Sequence, residues 1–403
     1  MSYGAELIRH RRVLAAAMLG MGFGLLLNNY VAGLFGPELI AEFGWSRSDF
    51  ALVSVVPIVM MVIVPIVGRL ADLFGVRRVA VVGVLGIPAS FLAMSRMDGS
   101  LVQFLLLTGM LMTFGTLTSS TIYTRLVAER FDRARGIAFA IVLTGPPLIG
   151  AITAPLLADL IAAEGWRAGY QALAAVSLAG GLGAVALIPG GPLPSLRAAR
   201  RRGSFIADFR LIAHRRVFWL IVAGMFLCNL PQALGSSQIK LMALDSGATD
   251  QIAVAMVSAY ALGVIAGRIV CGLALDRFDT RLVAFATLSL PAIGFAILWS
   301  PFDAGWLMVG AMGLVGMAQG AEGDIGAYLV TRHFELANYS FVLGLVTSGL
   351  SAASSIGAMV LSIMLRGDGN FGGFVLFSAI ITAVGAGLFL LIDRQPPLAE
   401  AHS

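Results

Sequence analysis

The chain has 403 residues, of which 58% are hydrophobic and 12% are charged, and its mean hydropathy is +0.90. Soluble proteins carry about 25% charged residues, so this composition excludes an ordinary soluble protein. The net charge of +5 is more typical of basic loops beside a membrane than of nucleic-acid binding, and we expect no nucleic-acid partner. Both cysteines, Cys228 and Cys271, lie in apolar runs, which argues against a disulfide framework.

The first apolar run follows three basic residues, Arg9, Arg11 and Arg12, as in a secretory signal. However, the run from Val13 to Phe35 is too long for such a signal, and no small-residue cleavage site follows it. We therefore predict an uncleaved first membrane helix.

Twelve apolar stretches are long enough to cross about 30 Å of hydrocarbon. Six lie near 13–36, 50–73, 77–96, 102–128, 136–162 and 167–189, and six near 217–242, 250–275, 281–299, 304–330, 338–365 and 372–392. The segment 190–216 is rich in Pro, Gly and Arg, and we predict a cytoplasmic linker there. The sequence thus predicts an all-α membrane protein with twelve transmembrane helices in two pseudo-symmetric six-helix bundles, residues 1–189 and 217–403.

The predicted loops differ in charge along the chain. Basic residues concentrate at the N-terminus, in the loops on the same side and in the central linker, whereas the opposite turns carry mainly acidic residues. By the positive-inside rule both termini are cytoplasmic. We expect a multi-pass protein of the bacterial inner membrane, in contact with the lipid bilayer and acting as a monomer.

Two pairs of segments repeat between the halves. The segment GRLADLFGVRR (Gly68 to Arg78) is echoed by GLALDRFD (Gly272 to Asp279), and ERFDRARG (Glu129 to Gly136) by TRHFELAN (Thr331 to Asn338). The first pair follows the second predicted helix of each half, and each member of the second pair opens a new apolar run. The chain therefore looks like one half-molecule used twice.

The segment GRLADLFGVRR in that loop resembles the cytoplasmic motif of the major facilitator superfamily, with a degenerate copy at GLALDRFD. In that family the loop helps to lock the outward-facing state. The resemblance implies a gating role for Gly68, Asp72, Arg77, Arg78 and Glu129 and, in the second copy, for Gly272, Asp276 and Arg277. It implies that Asp72 meets a helix end of the other half, and that Arg77 and Arg78 pair with Glu129 or Asp132. The alternative is that these charges merely anchor a short loop at the membrane surface.

Three charged residues lie deep in predicted helices. Arg268 is eight residues before Asp276, which places it roughly 12 Å from the helix end. Glu322 and Asp324 lie at a similar depth in the tenth helix, and a buried charge there costs several kcal/mol unless it has a partner or faces a wet cavity. Glu322 and Asp324 are two residues apart, about 200° around a helix, so they cannot face the same point. Arg69 is close enough to the surface to snorkel.

These residues suggest a chemistry. A guanidinium offers a planar fork that matches a carboxylate, so Arg268 is a candidate ligand for an anionic substrate. Glu322 or Asp324 would hold Arg268 when the site is empty or carry a coupled proton, because a carboxylate in an apolar site protonates more readily. The alternative is a structural salt bridge between the eighth and tenth helices.

Arg268, four residues before Gly272, resembles the helix-8 arginine of monocarboxylate porters and oxalate–formate antiporters, which binds the substrate carboxylate. The segment FGWSRSDF (Phe43 to Phe50) also looks like bacterial members of that group. The chain departs from the pattern because it has Val264 where an acid is frequent and lacks a lysine in helices 1 and 11. One carboxylate group therefore fits better than a dicarboxylate.

Other polar residues are candidates for contacts with the rest of the substrate, or for bonds between helices: Asn28, Asn29, Tyr30, Gln232 and Tyr260. Arg125 lies one turn before Glu129, which predicts an i,i+4 ion pair. The sequence contains no GxxxxGK[ST] phosphate loop, and its four histidines lie in surface segments without nearby metal-ligand partners. We therefore expect no enzyme activity, no metal and no cofactor.

The sequence-based hypothesis is a secondary active transporter. It would move a small organic monocarboxylate, together with H+, by alternating access around a midplane site. Two alternatives stay open: an exporter or antiporter of amphiphilic compounds in which Arg268 is structural, and a non-transporting membrane receptor.

Overall fold

The computed structural model describes residues 3–45, 60–190, 205–232, 234, 238–301, 304–368 and 370–394. Within these ranges the chain is helical and contains no strand. In the first half the helices are α1 Tyr3–Arg9, α2 Arg11–Gly22, α3 Leu25–Val31, α4 Gly36–Phe43, α5 Met60–Phe74, α6 Val76–Met94, α7 Leu101–Thr116, α8 Ser120–Arg130, α9 Arg135–Leu143 and α10 Gly145–Leu187.

In the second half they are α11 Phe205–Ala213, α12 Arg216–Asn229, α13 Ile239–Asp245, α14 Asp250–Leu275, α15 Thr280–Leu288, α16 Leu290–Trp299, α17 Gly305–His333, α18 Tyr339–Asp368 and α19 Gly372–Phe389. Most of the predicted linker 190–216, part of FGWSRSDF and the start of the second predicted span lie outside the described residues.

Seven helical segments of the described chain are long and apolar enough to cross a membrane, or nine when two bent pairs are counted as single spans. This number is lower than the twelve predicted stretches, partly because two predicted stretches are joined into one segment and because one long helix is not counted. Residues Arg135–Leu187 count as one segment, although Gly165 interrupts α10 with φ 83°, between the fifth and sixth predicted stretches. The helix α17 is absent from the seven, and it carries Glu322 and Asp324.

The chain divides into two compact units that do not follow the sequence halves strictly. The first comprises Met1–Phe131, Ile141–Ser204 and Glu335–Gly344; the second comprises Asp132–Ala140, Phe205–Phe334 and Leu345–Ser403. Each unit therefore contains a short segment that the sequence assigns to the other half. These segments hold the beginnings of α18 and α9.

A helix break lies in the first span of each half. In the first unit α2 and α3 are bent by 48°, and the backbone N–H of Leu25, at the start of α3, donates to Thr118 Oγ1 at 3.1 Å. In the second unit α12 ends at Asn229, shortly before Pro231, which cannot donate a backbone hydrogen bond. The helix ends leave polar backbone groups that need side-chain partners.

Candidate functional site

The two helices that carry the deep charges, α14 and α17, pack backbone against backbone. A Cβ atom added at Gly267 would come closer than 3.0 Å to the main chain of Met317. One added at Gly320 would come equally close to the main chain of Val264. Such small residues let membrane helices approach without intervening side chains. The contact therefore fixes how the polar side chains of the two helices face each other.

Arg268 lies on α14 at this contact and is partly buried. Its Nε donates to the Gly320 carbonyl oxygen at 3.1 Å. An electrostatic interaction also links Arg268 to Asp324. The Asp324 side chain is fully buried, and its carboxylate oxygens have no hydrogen-bond partner within the described part of the chain. Arg268 and Asp324 thus attract each other electrostatically across the contact of the two helices, without a hydrogen bond to either Asp324 oxygen.

Glu322 belongs to a different set of contacts. Asn229 Nδ2, at the end of α12, lies 2.7 Å from both carboxylate oxygens of Glu322. Gln319 Nε2 donates to Oε2 at 3.2 Å. Glu322 is 7% exposed. The 200° separation around α17 therefore directs Glu322 towards α12, while Asp324 interacts with α14.

A small cavity adjoins Glu322 within the second unit. Gln232, a predicted ligand, lies in its wall together with Cys228, Phe295, Gln319 and Glu322. The cavity volume open to the centres of water molecules is about 30 Å³. This volume is large enough for one or two waters but too small for an organic molecule. The cavity gives Glu322 a polar neighbourhood that Asp324 does not share.

A second kind of site lies at the helix beginnings that the units exchange. In the first unit Asp72 Oδ1 accepts from the Ser340 N–H at 3.1 Å, and Oδ2 accepts from the Phe341 N–H at 2.9 Å. A Cβ on Gly68 would clash with the Ser340 carbonyl. We call this arrangement the first cap, because a carboxylate satisfies the free N–H groups at the start of α18.

The second unit contains a matching arrangement, the second cap. Asp276 Oδ1 accepts from the Gly136 N–H at 2.6 Å and Oδ2 from the Ile137 N–H at 3.1 Å. A Cβ on Gly272 would lie 2.9 Å from the Gly136 carbonyl oxygen. The degenerate copy of the motif therefore makes the same type of contact as the intact one, at the start of α9.

The model of the major facilitator superfamily matches residues 13–235 and 232–403. The chain belongs to this superfamily. It is therefore a multi-pass transporter-family membrane protein, and the predicted fold class is confirmed.

Among known proteins, this superfamily member is similar to the MFS transporter asaE of Aspergillus flavus, with 24% identity over 346 residues, 82% of this chain and 74% of that protein. It is also similar to "Probable anion transporter 4, chloroplastic" of Arabidopsis thaliana, with 23% identity over 197 residues. That match covers 46% of this chain and 36% of the plant protein's length.

Two solved structures show the same fold. The transporter FucP in the outward conformation has a TM-score of 0.77 at 15% identity, covering 97% of this chain and 100% of that one. The proton:xylose symporter XylE has a TM-score of 0.72 at 13% identity, with 100% of both chains covered. At these identities the likeness concerns the fold alone.

The remaining predicted ligands of the superfamily member are spread over both units. Asn28, Asn29 and Tyr30 lie on α3 of the first unit; Asn28 is half-buried, Asn29 is exposed and Tyr30 is 46% exposed. Tyr260 lies on α14 of the second unit, half-buried against its apolar core, and interacts electrostatically with Glu322. The second unit thus carries Arg268 and Tyr260 on α14 and Glu322 and Asp324 on the neighbouring α17, while Gln232 lies in the chain between α12 and α13.

Two expectations about basic residues near the first cap need correction. Arg77 and Arg78 are exposed, and neither forms an ion pair within the described part of the chain. Of their predicted partners, Glu129 accepts from Arg125 Nε at 2.8 Å and Asp132 from Arg135 Nη2 at 3.0 Å. Arg69 does not snorkel; it is 4% exposed, and its Nη1 donates to Asn338 Oδ1 at 3.2 Å. Arg277 of the second motif copy is exposed.

The predicted Arg125–Glu129 pair is confirmed, but Arg125 has a second role that the sequence did not reveal. Its Nη1 also contacts Asp72 Oδ1, with both side chains fully buried. Asn229 was also missed. Its position in an apolar helix, at a depth near that of Gln232, is the signal that could have identified it.

Proposed function

We propose that this superfamily member carries an organic monocarboxylate across the bacterial inner membrane by alternating access, together with a proton. The observation that supports the proposal most is the position of Arg268 inside α14, two turns before the helix ends at Leu275, where it donates to the Gly320 carbonyl and interacts electrostatically with Asp324. An arginine at this depth costs about 3 kcal/mol or more. Such a cost favours a functional residue that meets an anion.

Charge balance links the anion to a proton. When Arg268, Glu322 and Asp324 are all ionised, these three side chains together carry one net negative charge. A bound carboxylate would add a second negative charge in a medium of low dielectric constant, where like charges repel strongly. Protonation of one acid restores the original charge. Anion and proton would therefore bind together, one of each.

The proposed transport cycle uses the caps as its gating elements. The first cap contains Gly68 and Asp72, supported by Glu129 through Arg125; the second contains Gly272 and Asp276. Arg77, Arg78 and Arg277 are exposed in the same loops and remain predicted gating residues. Formation of the caps would favour one state of the cycle, and their opening would accompany passage to the other.

The names of the plant relatives agree with an anionic substrate. The proteins of Arabidopsis thaliana and of Oryza sativa subsp. japonica are both named probable anion transporters. Those names apply to the relatives, and the class of anion proposed for this chain rests on the carboxylate-matching geometry of arginine.

Uptake into proteoliposomes tests the proposal. Purified protein would be supplied with labelled lactate, pyruvate or benzoate under an imposed pH gradient. Arg268→Ala should lower uptake about 100-fold, because loss of a charge-paired partner costs about 3 kcal/mol. Arg167→Ala, which removes an exposed arginine at 47% side-chain exposure, is the matched control and should leave uptake unchanged. Equal uptake by wild type and Arg268→Ala would contradict the proposal.

A second candidate, transport of amphiphilic compounds, is favoured by an apolar pocket in the first unit. Its walls include Phe23, Ile149, Leu156 and Val176. The pocket volume open to the centres of water molecules is about 320 Å³. Flux of an amphiphilic dye that is insensitive to Arg268→Ala, with no carboxylate uptake, would support this alternative.

A further inference from the structure

We propose that Glu322, and not Asp324, carries the proton, and that Asn229 is a positioning residue that binds Glu322 in both protonation states. The inference rests on the proposed function, since it assigns the proton of that transport cycle. It arises from the contacts of Glu322 in the second unit, which involve neither Arg268 nor the caps.

The amide of Asn229 is suited to both forms of Glu322. Asn229 is 3% exposed. Its Nδ2 lies 2.7 Å from each Glu322 oxygen, which matches an ionised carboxylate that only accepts. Its Oδ1 is buried and has no hydrogen-bond partner within the residues that the structure describes. An amide therefore faces Glu322 with its donor while its acceptor stays unused.

Protonation changes what Glu322 needs. A protonated carboxyl group has one O–H donor and one carbonyl acceptor. Rotation of the Asn229 amide presents Oδ1 to that O–H, and Nδ2 still donates to the carbonyl oxygen after a small adjustment. A hydronium ion that enters the adjoining cavity would supply the proton, so one of its O–H bonds breaks as the carboxyl O–H bond forms; release of the proton to water reverses the step.

The surroundings distinguish the two acids. The titratable groups that interact with Glu322 from neighbouring helices are Cys228 on α12 and Tyr260 on α14, and both are neutral near pH 7. The groups contributed by α16 to the adjoining cavity are apolar, including Pro291 and Phe295. Asp324 instead has a cation, Arg268, as its electrostatic neighbour.

Access to water also favours Glu322 over Asp324 as the proton carrier. Glu322 lies in the wall of the cavity, beside Gln319 and Gln232, whereas Asp324 does not. A proton carrier has to exchange its proton with water, and a few waters suffice for that. Asp324 is 0% exposed and acts as the fixed counter-charge of Arg268.

Two measurements on the full chain in proteoliposomes test the assignment. The first compares accumulation of labelled lactate, pyruvate and benzoate under a pH gradient with their exchange at equal pH on both sides. The second is an infrared pH titration without substrate, which follows the protonated carboxyl band. The variants are Glu322→Gln, Asp324→Asn and Asn229→Leu, with Gln319→Leu as the matched variant at the weaker contact.

Glu322→Gln should retain exchange, lose accumulation and lose the titrating band, because it mimics a permanently neutral side chain. Asp324→Asn should keep the band. Asn229→Leu should shift the pH dependence of the band and of exchange to higher pH by about one unit, since the ionised form loses two donor contacts. Gln319→Leu removes one contact of 3.2 Å and should shift it less.

A band that survives in Glu322→Gln and disappears in Asp324→Asn would overturn the assignment, as would an unshifted pH dependence in Asn229→Leu. The infrared titration requires no substrate. A wild-type protein with the expected titration but no carboxylate uptake would therefore refute the proposed function, and would leave Glu322 only as the carboxyl group that titrates beside Asn229. Should Glu322→Gln fail to fold, Asp324→Asn and Asn229→Leu still decide the question.

Discussion

Asp72 joins Arg125 in an ion pair whose side chains are both fully buried, although 53 positions separate them. The same carboxylate binds the start of α18 through two backbone N–H groups. The Arg125 guanidinium also binds Glu129. The first cap is therefore connected through Arg125 to α8, and a change at any of these residues should affect the others.

We expect Asp72→Asn to destabilise the protein by about 3–5 kcal/mol, because it takes a charge partner from a buried arginine. Arg125→Leu should cost a similar amount, since it leaves two carboxylates without that partner. The double variant should cost less than the sum of the two, with a coupling of about 1–3 kcal/mol. Chemical unfolding in detergent micelles would measure it, and strict additivity would contradict the connection.

Removal of the carboxylate of the second cap should destabilise the protein less than removal of the carboxylate of the first cap. Asp276→Ala removes a carboxylate that accepts from two N–H groups at a helix start, so we expect a loss of about 1–2 kcal/mol. Asp276→Asn keeps one amide oxygen as an acceptor and should lose about half as much. Thermal unfolding of both variants would check this order. Equal losses would show that the charge, not the hydrogen bonds, provides the stabilisation.

The close contact of α14 and α17 predicts a sharp sensitivity to a single methyl group. Gly267→Ala and Gly320→Ala would each force a Cβ against main-chain atoms of the other helix, and each should destabilise by about 1–3 kcal/mol. Gly310→Ala on α17 is the control, because nothing lies within 4 Å of its added Cβ. It should be neutral or stabilise slightly, since alanine favours the helix. Equal effects at the three positions would contradict the packing argument.

An acid-dependent change is expected at Glu42. Hydrogen bonds from Trp166 and Arg167 lower the pKa of Glu42 from its ordinary value of 4.5. A lowered folded-state pKa means that the contact stabilises the protein above pH 4.5 and that this contribution is lost as the pH falls through the lowered pKa. Trp166 fluorescence, obtained by subtracting the signal of Trp166→Phe, should change below pH 4.5. The same change in Glu42→Gln would exclude Glu42 as its source.

The spacing of residues along the chain was enough to predict several features of the structure correctly. The all-α fold followed from the apolar stretches, and the Arg125–Glu129 pair from its i,i+4 spacing. The angle between Glu322 and Asp324 followed from the geometry of a helix. Each of these depends on residues close in the chain, so the sequence alone carries the information.

Long-range partners could not be predicted in this way. Arg69 was expected at the surface, yet it bonds to Asn338, 269 positions away. Asn229 binds Glu322 across 93 positions, and an asparagine in an apolar helix has no periodic pattern that names its partner. The tertiary packing of the helices decides these contacts.

The contact between α14 and α17 also sets an order of events during synthesis. Residues of α15 and α16 separate the two helices in the chain, so the ribosome makes α14 and its Arg268 before it makes Gly320 and Asp324. Until α17 has been made, Arg268 lacks the partners on α17 that it has in the folded protein. The helix α14 is long and apolar enough to cross a membrane, which favours its insertion despite that arginine. Arg268 and Asp324 can therefore come together only after both helices have been synthesised, so the contact of α14 with α17 cannot precede the synthesis of α15 and α16.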